Sequence, residues 1–178
     1  MQDIDIVVSE EREDAEGIKW AITQADHRYY REQSKVFGAM HHILYCRLPG
    51  WMTDNRRCVK VDILVPPTLG LPNIRVSDLY LSNGIPVMPI FDLLVMKTQG
   101  WWDHRTSPRE VVQAKENDDK SDIMALLECA RLENVSYVDE AYKYRHSQEF
   151  MNRAYTLADK FVGLYGTHQR WRALHFPL

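Results

Sequence analysis

Apolar and polar residues alternate from the start of the chain. Ile4, Ile6 and Val8 interleave with Asp3, Asp5 and Val7, a period of two that predicts a short β-strand. On such a strand Ile4 and Ile6 point to one face, and Asp3 and Asp5 to the other. A second alternating run, Arg57 to Val65, is closed by Pro66-Pro67. There Val59, Val61 and Ile63 share one face, and Lys60, Asp62 and Leu64 the other. Between the two runs, Ser9–Asp14 reads as a polar turn. Ala15, Ile18, Ala21, Ile22 and Ala25 then recur at helical spacing, predicting a helix over 14–25. Further strands are predicted at Arg28–Arg31 and Met40–Leu48, with Pro49-Gly50 and Thr53–Arg56 as a hairpin loop.

The second half changes character. Pro66 to Pro72 reads as a loop, and Val76, Leu79 and Leu81 as a short element before Asn83-Gly84. Phe91–Trp102 is a strongly apolar helix, with Ile90, Leu93, Leu94, Lys97 and Trp101 on one side and Asp92 near its positive end. A polar connector over 107–117 leads to a helix over 123–132. Ile123, Leu126, Leu127 and Ala130 face inward there, and the preceding acids, Asp118, Asp119 and Asp122, suit its N-terminus. After a break at Asn134–Ser136, helices are predicted over 138–145 and 148–165, the last ended by Gly166. His168–Arg172 and His175–Leu178 form a basic-aromatic tail, suited either to docking on the core or to stacking on nucleic acid. The fold class that follows is α/β (α+β): a mixed sheet core over 1–85, then a helical part over 86–178 packed on it as a single compact unit.

Composition narrows this little. With 178 residues, 45% of them apolar, the chain can bury one sizeable core. A net charge of −3 gives no reason for a general nucleic-acid-binding surface. Cys46, Cys58 and Cys129 have neither disulfide-framework nor zinc spacing and are expected to be free thiols. His41 and His42, as neighbours on a strand, point to opposite faces and are not expected to share a metal. No apolar run approaches the length of a membrane span, and no signal pattern opens the sequence, so a cytoplasmic protein without membrane association is expected.

Candidate chemistry lies with the acids. Two carboxylates on one strand face repel each other, and a divalent cation is the usual remedy. If the two alternating strands pair, Asp62 completes a triad with Asp3 and Asp5. That is the oxygen-ligand set of a two-Mg²⁺ phosphoryl-transfer site. The bland alternative is a solvated edge strand with its acids in water. For Lys97 the alternatives are snorkelling to solvent and pointing at a phosphate.

The order of these signals, Asp3 and Asp5 on a strand, then Lys60-Val61-Asp62-Ile63-Leu64, then the block from Lys97 through Gly100–Arg105 to Asp122-Ile123, resembles the nucleotidyltransferase-fold superfamily. The closest likeness is to its minimal or AbiEii-like (MenA-toxin-like) branch, over residues 1–132. The resemblance implies Mg²⁺-dependent transfer of a nucleoside monophosphate from an NTP to an RNA, protein or small-molecule acceptor. Asp3 and Asp5 would hold two metals, and Asp62 would bind one of them and orient or deprotonate the attacking hydroxyl. Lys97 and Asp122 would contact the nucleotide, with Lys60 and Arg105 cradling its phosphates. The family's Lys-Asp-x-x-Asp-Ile block stands here as Asp118 to Ile123, with the lysine displaced to Lys120. The family also carries a Gly-Ser loop before its first acid pair. This sequence opens two residues before Asp3, so the expectation is a phosphate grip without that loop. The alternative is a catalytically inactive binding or assembly module of the same fold, forming a homodimer over the apolar flank of its first strand. A metal-dependent nuclease is weaker, since no lysine closely follows Asp62.

Overall fold

The computed structural model describes residues 3–8, 14–49, 57–66, 71, 74, 75, 77, 79–136 and 146–178. The chain divides into two compact units, 1–73 and 74–178. The expected turn at 9–13, the hairpin loop at 50–56 and the helix over 138–145 lie outside the described residues.

In the first unit the elements are β1 (Ile4–Val7), α1 (Ala15–Ala25), β2 (Tyr29–Gln33), β3 (His42–Arg47) and β4 (Cys58–Leu64). They form a mixed four-stranded sheet in the order β1-β4-β3-β2. β1 runs parallel to β4, and the other pairs are antiparallel. Alternation decides what is covered. Leu44, Val61 and Ile63 are buried on one face, where Ala15, Ile18 and Ile22 of α1 pack against them. Asp14 caps α1, its carboxylate accepting from the Gly17 amide at 2.6 Å. Glu16 and Lys19 tie α1 to the start of β3. The Glu16 carboxylate accepts from the His42 amide at 3.2 Å, and Lys19 donates to the His42 carbonyl at 2.7 Å. β1 is one of the two edge strands, and its Ile4 and Ile6 remain 46% and 40% exposed.

The second unit opens with a hairpin, β5 (Tyr80–Ser82) and β6 (Ile85–Val87). Asn83 and Gly84 turn it at φ of 51° and 78°, the double left-handed turn that an Asn-Gly pair favours. Five helices follow among the described residues: α2 (Ile90–Arg105), α3 (Glu110–Gln113), α4 (Glu116–Leu132), α5 (Gln148–Tyr165) and α6 (His168–Arg172). Their core contains Phe91, Leu94, Trp101, Ile123, Leu127, Phe161 and Trp171. Ser147 caps α5, its hydroxyl accepting from the Phe150 amide at 3.1 Å, and Gly166 ends it at φ 64°. Trp171 and Phe176 of the tail are buried in the same core, their rings 5.2 Å apart.

Three local expectations are corrected. The connector over 107–117 contains α3 and the first two residues of α4. Asp118 and Asp119 therefore lie in the first turn of α4, as suits a helix N-terminus, while Asp122 lies further inside the helix. The buried face of α2 runs through Phe91, Leu94, Val95, Thr98 and Trp101, with Asp92 included, not through Ile90, Leu93 and Lys97. The stretch from Ile90 to Met96 is apolar nearly all round, so its pattern did not fix which face turns inward.

Candidate acidic-strand site

The site is built by one backbone pairing. In the parallel β1–β4 ladder Ile4 is in register with Val61, and Asp5 with Asp62. Side chains in register share a face. Val61 is 1% exposed on the α1-covered face, so Asp62 and Asp5 stand abreast on the opposite one. Asp3, two residues before Asp5, belongs to that face as well.

Lys60 joins them. It lies two residues before Asp62 on the same face, and its Nζ donates to Asp62 Oδ2 at 2.6 Å. The two side chains are 33% and 35% exposed. Burial alone would lower the Lys60 pKa. The hydrogen bond and charge of Asp62, with the charges of Asp3 and Asp5, outweigh it and raise the pKa.

The face continues into aromatic residues that the sequence reading left out. Tyr45 is in register with Lys60, and Tyr30 with Tyr45. The two rings stack at 5.4 Å and 23°, and the Arg47 guanidinium lies 4.2 Å from the Tyr30 centroid. Burial, then a hydrogen bond with Cys58, push the Tyr30 pKa up. The period-two parity of Tyr30, Tyr45 and Lys60 was the available signal, but it needs the strand register before it can be used.

The remaining expected nucleotide contacts lie in the second unit. Lys97 Nζ donates to Asp122 Oδ2 at 2.8 Å, so two residues expected to meet the nucleotide are partners of each other. Arg105 is bonded to Glu116, which also accepts from the Tyr165 hydroxyl at 2.7 Å. The hydrogen bond from Tyr165, aided by that from Arg105, holds the Glu116 carboxyl below its usual range against the opposing effect of burial. Nearby, His104 Nδ1 meets Asp119 Oδ2 at 2.5 Å.

One buried pair was missed altogether. Asp92 is fully buried, and His146 Nε2 lies 2.9 Å from its Oδ1 with the side chain 3% exposed. The approach is close enough for an ion pair but off the line of a hydrogen bond. His146 Nδ1 and Asp92 Oδ2 have no hydrogen-bond partner among the described residues. Phe150 and Phe91 flank the imidazole, with centroids 4.6 and 6.1 Å away. An aspartate inside an apolar run was the signal that could have found it.

The three cysteines are free. Cys46 and Cys58 lie on neighbouring strands, but the register puts Cys46 opposite Val59, on the other face from Cys58. His42 faces Glu16 at 2.9 Å.

No protein-family model matches the chain, and no curated protein or solved structure does. The chemistry is therefore argued from the residues alone. Carboxylate oxygens are hard donors, and Mg²⁺ is commonly held by one or two of them together with substrate phosphates. Asp5 and Asp62, abreast on adjacent strands, fit that donor set for one ion. Among the described residues, no group of three or more His, Cys, Asp or Glu side chains is placed to hold a metal, and Asp62 Oδ2 is already engaged by an ammonium. No described helix is long and apolar enough to cross a membrane.

Proposed function

We propose that the chain is nucleotidyltransferase-like and transfers a nucleoside monophosphate from an NTP to an RNA, protein or small-molecule acceptor. The observation that supports this reading is the parallel β1–β4 register, which sets Asp5 beside Asp62 with Asp3 and Lys60 on the same face. In this reading Asp5 and Asp62 hold Mg²⁺, and Asp3 adds its charge at the start of the strand. The bound ion supplies neutralisation of the charge that develops on the transferred phosphoryl group. With Oδ2 on Lys60, Asp62 has Oδ1 left to orient the acceptor hydroxyl.

Thermal unfolding with Mg²⁺ and each NTP in turn, run beside Asp62→Ala, tests this. A ligand at about 100 times its Kd stabilises by about 2.7 kcal/mol, a shift of several degrees. The expected result is a Mg²⁺-dependent shift that Asp62→Ala loses. A parent that shifts with no nucleotide refutes the reading.

A second reading is supported by a different observation. Ile4 and Ile6 are 46% and 40% exposed on the edge strand, and an unpaired apolar edge is a ready template for association. In that reading the same fold serves as a non-catalytic module that pairs with a second copy across β1. Sedimentation velocity would show a concentration-dependent homodimer that Ile6→Glu abolishes. A clean monomer at high concentration removes it.

A further inference from the structure

We infer that the β2–β3 connection is a docking tip that inserts Val36, Phe37 and Met40 into the surface of a lipid membrane with anionic headgroups. Single exposed apolar residues are ordinary on a protein surface. Here three fall within five positions: Val36 is 68% exposed, Phe37 105% and Met40 86%. The connection that carries them is closed by hydrogen bonds. At its root the Ser34 amide donates to the His41 carbonyl at 3.1 Å, and the Ser34 hydroxyl accepts from the Val36 amide at 3.3 Å. The Ala39 amide donates to the Val36 carbonyl at 3.0 Å, making 36–39 a β-turn with Phe37 and Gly38 at its centre. Gly38, at φ 79°, takes the third position, where a positive φ favours glycine. The turn thus presents Phe37 with much of its ordering cost already met in the free protein.

Two observations choose the occupant. Three side chains offer a few hundred Å² of apolar surface at most, short of the roughly 800 Å² that each partner gives a standard protein interface. A bilayer needs no matching surface. Apolar side chains enter its headgroup boundary, and binding grows with their area and with attraction to anionic lipids. The second observation is charge. Lys35 and His41 flank the tip, both exposed, and no acid lies between Ser34 and His41. Such a contact needs no spanning helix, and none is present among the described residues. It departs from the expectation of no membrane association, which rested on the lack of a spanning run.

Flotation of the full chain with vesicles tests this, one set of phosphatidylcholine alone and one of equal parts phosphatidylcholine and phosphatidylglycerol. The parent is expected to float with the anionic set and more weakly with the neutral one. Phe37→Ser should lower its partition about tenfold or more, the worth of a phenyl ring taken out of water. Lys35→Gln should lower it about fivefold, on the anionic vesicles only. Val111→Ser, at a site 77% exposed on α3, should leave it unchanged. Thermal melts show whether each variant folds, and Met40→Ser, expected to act in the same direction, replaces Phe37→Ser if that one does not. A parent that floats with neither set, or equally with both, would overturn the inference. So would a folded Phe37→Ser that floats like the parent, or a Val111→Ser that loses as much. Sedimentation velocity without lipid covers the other occupant: self-association that Phe37→Ser abolishes would assign the tip to a second copy of the chain instead.

Discussion

Removing the Asp92 carboxylate tests the core of the second unit at its most vulnerable polar point. Asp92 is wholly buried in the first turn of α2, and its partner His146 has a side chain only 3% exposed. Asp92→Ala leaves the buried imidazole without the carboxylate it lies against. Breaking a buried pair by deleting one partner costs about 3–5 kcal/mol. The lost carboxylate also gives up the favourable end of the helix dipole, about 0.3–1 kcal/mol. In a unit of about 100 residues each kcal/mol moves Tm by about 4–8 °C, so a fall of at least about 12 °C is expected. Urea unfolding followed by circular dichroism at 222 nm reads the helical unit directly. The double variant Asp92→Leu/His146→Phe should recover most of the loss, because an apolar pair of similar volume can replace a buried ion pair at little or no cost. Two results would refute the reasoning: a cost below about 1 kcal/mol for Asp92→Ala with m unchanged, or a double variant as unstable as the single one.

Two further outcomes follow from the first unit. Burial alone would raise the Glu16 pKa, but the hydrogen bonds from Lys19 and His42 outweigh it and hold the carboxyl down at about 2, below the usual carboxylate range. A depressed carboxylate stabilises the fold above its unfolded pKa and loses that contribution as pH falls through the folded one. Stability should therefore decline between about pH 4.5 and 2 in the parent and respond less in Glu16→Gln, as read from Tm against pH. In the β2–β3 connection Phe37 is fully exposed. Phe37→Ser should then change stability by no more than about 0.5 kcal/mol in urea, and a larger loss would mean that the ring is covered in solution.

What was legible in the sequence is what repeats locally. β1 and β4 show up as alternation, α1 as helical spacing with Asp14 in front of it, and α5 as a run ended by Gly166. The parallel pairing of β1 with β4 has no local signature, because more than fifty residues separate Asp5 from Asp62. It could be assumed from the acids but not read from them. The rotation of α2 failed for the same reason. Asp92 looks like a residue for the helix N-terminus until His146 is known to lie against it. The phosphate roles of Lys97 and Arg105 come from the family resemblance, not from any local pattern. The sequence could not say that Asp122 and Glu116 are their partners.

The acids of β1 depend on the apolar residues between them. A one-residue slip of β1 against β4 would carry Asp3 and Asp5 to the α1-covered face, where a carboxylate has no counter-charge. What opposes the slip is the burial of Ile4 and Ile6, backed by Val8 against the small core and by the Val8 amide bond to the Leu64 carbonyl at 2.9 Å. Because both isoleucines are close to half exposed, the first of these forces acts at partial strength. A partner covering Ile4 and Ile6 would complete it and, by fixing the register, hold Asp5 beside Asp62 more firmly. The assembly reading and the transfer reading are therefore linked through one strand. If dimerisation occurs across β1, Mn²⁺ affinity at Asp62 should rise with protein concentration, and Ile6→Glu should weaken metal binding without touching a ligand. Metal affinity that is independent of both would separate the two readings.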